Sequence, residues 1–287
     1  MSTQTMTSTP DAIPTSSGET SPNGELKRCD VLGVGISAVD LPMAVATIDK
    51  WIRRGEKHYV CITGVHGVME SQRDPALKRI HNRAGMVTPD GMPMVWMNWL
   101  RGNSWVRRGY GPDVMLAVCE AGVAKGHKHF FMGGKEGVAE LLKEKLTAKF
   151  PGMQVVGTYC PPFRALTAEE DAALIKQIND SGADIVWVGL STPKQEKWMD
   201  AHIGKLDASV MVGVGAAFDF HAGLVEQAPK FIQKSGFEWL YRVTKEPKRL
   251  WKRYAVNNPL FLWSLLLSFT HLKDFSEKPA ASEAKAR

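Results

Sequence analysis

The chain has only four cysteines in 287 residues, Cys29, Cys61, Cys119 and Cys160. They lie far apart, form no C-x-x-C pair and have no histidines at metal spacing. That excludes a disulfide framework or zinc ribbon and points to reduced thiols and a cytoplasmic home. Also missing is a run of the ~20 apolar residues needed to cross a bilayer, and residues 1–28 carry no apolar core of the kind a signal sequence needs. The Walker spacing of a nucleotide triphosphatase is absent, as is any Asp-x-Asp pair that could hold a divalent ion. No cofactor and no metal ligand set are expected, and no known RNA- or DNA-binding motif is present.

What is there begins with charge. The formal net charge is +6, and the segment from Lys230 to Arg253 accounts for all of it, with eight Lys or Arg against Glu238 and Glu246. So concentrated a patch calls for an anionic partner: nucleic acid, acidic lipid or a phosphorylated substrate. Residues 1–28 and 276–287 are rich in small polar residues, proline or charge, and are expected to be disordered.

Between those ends, short apolar runs alternate with helical patterns. Strands are expected at Tyr59–Thr63, from Met86, and at His129–Met132, Val155–Thr158, Asp184–Val188 and Ser209–Val214. Helices are expected at Met43–Arg53, in one pattern running through Ile80, and at Val114–Ala124, to Phe150 and Thr167–Ser181. This alternation predicts an α/β fold, a Rossmann-like, mainly parallel sheet flanked by helices over residues 29–228. Residues 229–275 change texture. Helical apolar spacing, Trp239, Tyr241, Trp251, Tyr254 and Trp263, and the basic cluster predict a helical appendage that associates with membranes. The closing run Pro259–Phe269 is too short to span and suits an interfacial helix; packing on the chain's own domain or on a sister subunit is the alternative.

Several turns carry candidate chemistry. Gly33-x-Gly35-x-x-Ala38 resembles a dinucleotide fingerprint, but Asp40-Leu41-Pro42 interrupts the helix that fingerprint requires. Thr63 and His66 stand at the carboxyl end of a strand, where ligands bind in open α/β sheets. Asp90, between two prolines and beside a glycine, is either an N-cap or a rigidly held general base. Gly133-Gly134-Lys135 opens a helix. In Asp184–Met199, Thr192 is the expected N-cap, Pro193 the first helical residue and Gln195 the capping-box partner, giving a helix N-terminus that could hold a phosphate. The plainer alternative is that Gln195 only caps and that Lys194 and Glu196 are solvated.

Taken together, Thr88-Pro89-Asp90-Gly91, Gly111-x-Asp113, Phe131-x-Gly133-Gly134, Gly189-x-x-x-Pro193-Lys194-Gln195-Glu196, Gly213-Val214-Gly215, Ala228-Pro229, Glu238-Trp239-x-Tyr241-Arg242 and Glu246-Pro247-x-Arg249 have a specific order and spacing. In this the chain resembles the WecG/TagA/CpsF family of bacterial glycosyltransferases from about Val31 to Tyr254. The resemblance implies metal-independent transfer from a UDP-sugar to a polyprenyl-diphosphate-linked saccharide, at the inner face of the cell membrane, in surface or exopolysaccharide biosynthesis. It implies Asp90 as the catalytic base and Gln195 in the sugar pocket. Substrate contacts are expected from Thr63, His66, Arg108, Asp113, Gly133, Gly134, Lys135 and Glu196, and from the appendage arginines Arg242, Arg249 and Arg253. Val65 stands where the family commonly has Asn, which makes His66 the candidate for that role. An anionic membrane surface and a homo-oligomer are further expected partners; nucleic acid is not. Two rival readings remain at this point, an NAD(P)-dependent oxidoreductase built on Gly33-x-Gly35 and a non-enzymatic basic adaptor for membrane or nucleic acid.

Overall fold

A computed structural model describes residues 25–276, apart from the side chains of Lys234 and Arg249. Of the two segments expected to be disordered, residues 1–24 and 277–287 lie outside the described residues. The described chain starts with β1 (Arg28–Val31) and β2 (Val34–Ser37), an antiparallel hairpin turning at Leu32-Gly33. The glycine fingerprint therefore sits inside a hairpin and opens no helix, which removes the structural basis for the dinucleotide reading. Helix α1 (Leu41–Arg54) follows, its Met43 N–H bonded to the Asp40 carboxylate and its end turned by Gly55 at φ 63°. Both ends thus have a local chemical cause.

After β3 (His58–Thr63), the helical pattern read as one element through Ile80 is two helices, α2 (Val65–Arg73) and α3 (Pro75–Arg83). Pro75 has no N–H to continue the first helix, and the Asp74 carboxylate accepts from the Ala76 and Leu77 amides to start the second. Next come β4 (Met86–Pro89), α4 (Met92–Leu100), α5 (Gly111–Val123), β5 (Lys128–Gly133), α6 (Val138–Lys149), β6 (Gln154–Tyr159) and α7 (Ala168–Asp180). Thr167 and Glu170 close a full capping box on α7. The domain is completed by β7 (Ile185–Gly189), α8 (Lys194–His202), β8 (Val210–Gly213) and the short α9 (Ala217–His221).

Strands β3 to β8 form one sheet in the order β4-β3-β8-β7-β5-β6, with every pairing parallel. Side chains alternate between two apolar clusters: Ile185 and Trp187 of β7 enter one, Val186 and Val188 the other. All four are fully buried, which is why the run reads as continuously apolar instead of alternating. The appendage consists of α10 (Lys230–Ser235), α11 (Glu238–Lys245) and α12 (Pro247–Phe269). The expected interfacial run Pro259–Phe269 is the second half of α12. Among the described residues, no helix is long and apolar enough to cross a membrane.

Candidate active site

A cavity of about 550 Å³ opens over the carboxyl ends of β4, β3 and β8 and is roofed by α11 and α12. Parallel strands end with their side chains and free turns pointing the same way, so loops distant in sequence gather on this rim. Asp90 follows β4, and its N–H donates to the Thr63 carbonyl of neighbouring β3 at 3.0 Å. Gly64 makes that approach feasible, since a Cβ there would lie 2.7 Å from the Asp90 carbonyl oxygen. The loop carrying Arg108 is pinned alongside: the Gly109 N–H donates to the Pro89 carbonyl, and Thr88 Oγ1 donates to the Gly109 carbonyl.

Arg108 is thereby held between two carboxylates. Its Nη2 donates to Asp90 Oδ1 at 3.2 Å, and its Nη1 meets Glu238 Oε2 of α11 at 2.5 Å. The guanidinium lies over the Tyr110 ring, 4.0 Å from the centroid. Burial works to lower the Arg108 pKa, but Asp90 and Glu238 outweigh it and raise it above the ordinary arginine value. The cation is fixed in its charged form. Burial, then Glu238 and Asp90, push the Tyr110 phenol well above its usual range, and its buried hydroxyl has no hydrogen-bond partner among the described residues. Arg242 and Arg253 also line the cavity. Burial opposes the charge of Arg242, yet Tyr254, Tyr110, Glu238 and Asp90 together raise its pKa.

Gln195 and Asp90 line this same cavity, but the helix that carries Gln195 starts differently from the expected capping box. Ser191 turns the chain at φ 63°, Pro193 occupies the N-cap position, and Thr192 gives its hydroxyl to Glu196 Oε1 at 2.8 Å. Glu196 is the cause. It is fully buried, and a buried carboxyl must gather donors. Gln195 Nε2 supplies a second one at 3.1 Å. Because a carboxylate oxygen only accepts, that bond fixes the amide orientation and leaves Gln195 Oε1, buried and without a partner among the described residues, as an acceptor beside Gly215. Burial raises the Glu196 pKa. The reading that Glu196 is solvated is thus overturned, while Lys194 is exposed.

His66 lines the cavity from α2. Its Nδ1 accepts from Asn257 Nδ2 of α12 at 3.1 Å, and Arg73 donates to Asn257 Oδ1 at 2.7 Å. Burial, then Arg253 and Arg73, lower its pKa to about 3, so the ring is neutral at physiological pH. Other expected contacts lie elsewhere. Thr63 is buried behind the wall, its Oγ1 without a partner among the described residues. Asp113 is exposed in the first turn of α5, and Lys135 is exposed beyond the cavity. Gly133 and Gly134 also lie outside it. They let β5 approach β7, since a Cβ on Gly133 would lie 2.6 Å from Gly189, and the Gly134 N–H is already given to the Gly189 carbonyl at 3.1 Å. That amide is not available to a phosphate. Arg249 belongs to α12 by its backbone, and its side chain lies outside the described residues.

Tyr110, Glu238 and Asn257 are the residues that sequence reasoning missed as parts of the site. Glu238 left a signal, because it stands in the Glu-Trp-x-Tyr-Arg motif beside Arg242.

The model of the Glycosyl transferase WecG/TagA/CpsF family matches residues 29–274, which include the rim, the arginines and the appendage. The chain belongs to this family. It is a glycosyltransferase, similar to the N-acetylglucosaminyldiphosphoundecaprenol N-acetyl-beta-D-mannosaminyltransferase of Bacillus subtilis (strain 168), 27% identical over 256 residues, or 86% of this chain and 96% of that relative. The Staphylococcus aureus (strain MW2) protein of the same name is 23% identical over 83% of this chain and 92% of its own length. That of Bacillus spizizenii (strain ATCC 23059 / NRRL B-14472 / W23) is 28% identical over 64% and 69%. With the family fixed, neither the oxidoreductase nor the non-enzymatic adaptor accounts for this glycosyltransferase.

Proposed function

We propose that the chain transfers a sugar from a UDP-sugar to a polyprenyl-diphosphate-linked saccharide at the inner face of the cell membrane, with Asp90 as base. The single observation that carries this reading is the triad Asp90–Arg108–Glu238, in which a carboxylate on the sheet rim and one on the appendage share one partly buried cation at the cavity. Arg108 engages Oδ1 of Asp90 and orients the carboxylate toward an acceptor hydroxyl. As the bond from sugar to diphosphate lengthens, negative charge builds on the departing UDP. Arg242 and Arg253, on the same cavity, suit that diphosphate, since the guanidinium fork matches its oxygens. In this scheme arginines meet the leaving-group charge and no step requires a metal ion. Gln195 Oε1 is a buried acceptor that calls for a hydroxyl or amide N–H from the sugar.

The lipid-linked acceptor is supported by the names of the similar proteins, whose substrate is an undecaprenyl diphosphate bearing N-acetylglucosamine. Those names make a UDP-N-acetylhexosamine the first donor to test. The membrane side of the proposal rests on α12, which exposes Trp251, Trp263 and Leu266 outside the cavity, next to a basic segment. The test is a screen of UDP-hexoses and UDP-N-acetylhexosamines for UDP release in the presence of a lipid-diphosphate-linked N-acetylglucosamine. Acceptor-dependent release from one donor class supports the reading. No release from any donor by a folded protein that binds UDP would defeat it.

A further inference from the structure

The cavity has two unlike halves. One holds Asp90, Arg108, Arg242 and Arg253. The other is walled by Met92, Trp96 and Leu100 of α4 and by Leu262, Leu265 and Phe269 of α12. A nucleotide sugar offers such walls only the face of its base and has no chain to run along them. An amphiphile that joins a diphosphate to a hydrocarbon fits both halves, its charge at the arginines and its chain between the helices.

This apolar half is a built groove and not merely an exposed helix face. Its two walls lie far apart in the chain, yet each is rooted in the core: Met97 of α4 and Phe261 of α12 are both buried and belong to the same apolar cluster. The turn between α10 and α11 closes one side: Gly236 at φ 83° sits so close to the Trp96 ring that a Cβ would lie 3.2 Å from it. Toward the mouth the lining becomes open, with Leu100 71% and Leu262 66% exposed. A chain entering there would pass from the surface of α12 to the arginines without leaving apolar walls.

We propose that the first isoprenoid units of the acceptor's lipid lie in this groove between α4 and α12, so that the enzyme holds part of the lipid and not only its headgroup. The proposal rests on the lipid-linked acceptor reading above. It is tested without turnover, by calorimetric titration of the full chain in the absence of detergent and vesicles, using geranyl diphosphate and methyl diphosphate as probes. Geranyl diphosphate is expected to bind at least about tenfold more tightly, because its chain leaves water for the groove. Leu265→Trp, which fills the groove, and Leu100→Gln, an exposed position where misfolding is not expected, should each reduce that preference to about twofold or less.

Equal affinity of the two probes for the unmodified chain would overturn the proposal. So would an undiminished preference in both variants, each with native circular dichroism. A preference that arises only with phosphatidylglycerol vesicles would assign these side chains to the bilayer instead. Loss of preference together with a dimer in light scattering that geranyl diphosphate does not dissociate would assign them to a second copy. Either result overturns the groove. Because binding is read directly, a chain that prefers geranyl diphosphate yet transfers no sugar supports the groove while counting against the transferase reading.

Discussion

The sheet rim and the appendage contribute to one cavity but are made of different material. On the rim, positions are set by strands whose core residues are wholly buried, and by backbone bonds such as Asp90 to Thr63 and Gly109 to Pro89. The appendage instead leaves Trp239, Leu240, Trp251, Leu262 and Trp263 exposed; α12 buries Leu250 and Phe261, and the site itself is met through polar side chains, Glu238 to Arg108 and Asn257 to His66 and Arg73. A few polar contacts cost less to break than a packed core, so the rim is the fixed part of the site and α11, whose buried residue is Glu238, the part that can be displaced. The proposed base therefore lies on the rim, and the proposed cationic help for the leaving group on the appendage.

That division is tested most severely at Asp90. Asp90→Asn should lower kcat by roughly 10²–10⁴-fold with little change in UDP affinity, read by UDP release and by calorimetry. Arg242→Ala acts from the appendage and should cost ~1.5–3 kcal/mol in kcat/KM, with UDP affinity falling as well. If both variants lost UDP affinity equally, the separation of base from leaving-group support would fail.

Two glycines compare the regions by stability. Gly64→Ala would set a Cβ 2.7 Å from the Asp90 carbonyl oxygen in a rigid rim, and should cost about 1–3 kcal/mol in denaturant unfolding as well as activity. Gly236→Ala, at φ 83° in the appendage, should cost about 1–2 kcal/mol. Its Cβ meets the Trp96 ring, which can yield, and Met92 Cβ at an ordinary 3.6 Å.

Stability also depends on pH. Burial first of all holds His66 at about 3, His81 at about 4 and His129 at about 3. Their folded-state values lie below the unfolded value of about 6.5, so the unfolded chain takes up protons that the native chain refuses. Stability is then fully present above pH ~6.5 and declines as pH falls from there toward 3, at a limiting slope of roughly 1.4 kcal/mol per unit for each histidine. Urea midpoints that fall from pH 7 to 5.5 fit this; midpoints that rise would contradict it.

Much of the fold was legible because parallel strands buried on both faces leave unbroken apolar runs, as in Ile185–Gly189. Asp90 and Gln195 were legible for a different reason, through motifs that fix the order of loops along one rim. What could not be read is pairing between distant elements. Nothing near His66 announces that its hydrogen-bond partner lies 191 residues on, and Glu238 gives no local sign that it clasps Arg108. The expected cap at Thr192 failed for a related reason: local spacing favours a capping box, but the buried Glu196 claims the hydroxyl. The helix through Ile80 was overextended because apolar periodicity continues across Asp74-Pro75 although the backbone hydrogen bonds do not.

The most direct test of the account is a double-mutant cycle in kcat/KM across the contact that joins rim to appendage, using Arg108→Ala, Glu238→Ala and the pair. If the appendage completes the site through this contact, the two losses should be non-additive by about 1–3 kcal/mol. Additive losses, or a Glu238→Ala enzyme as active as the unmodified one, would contradict it.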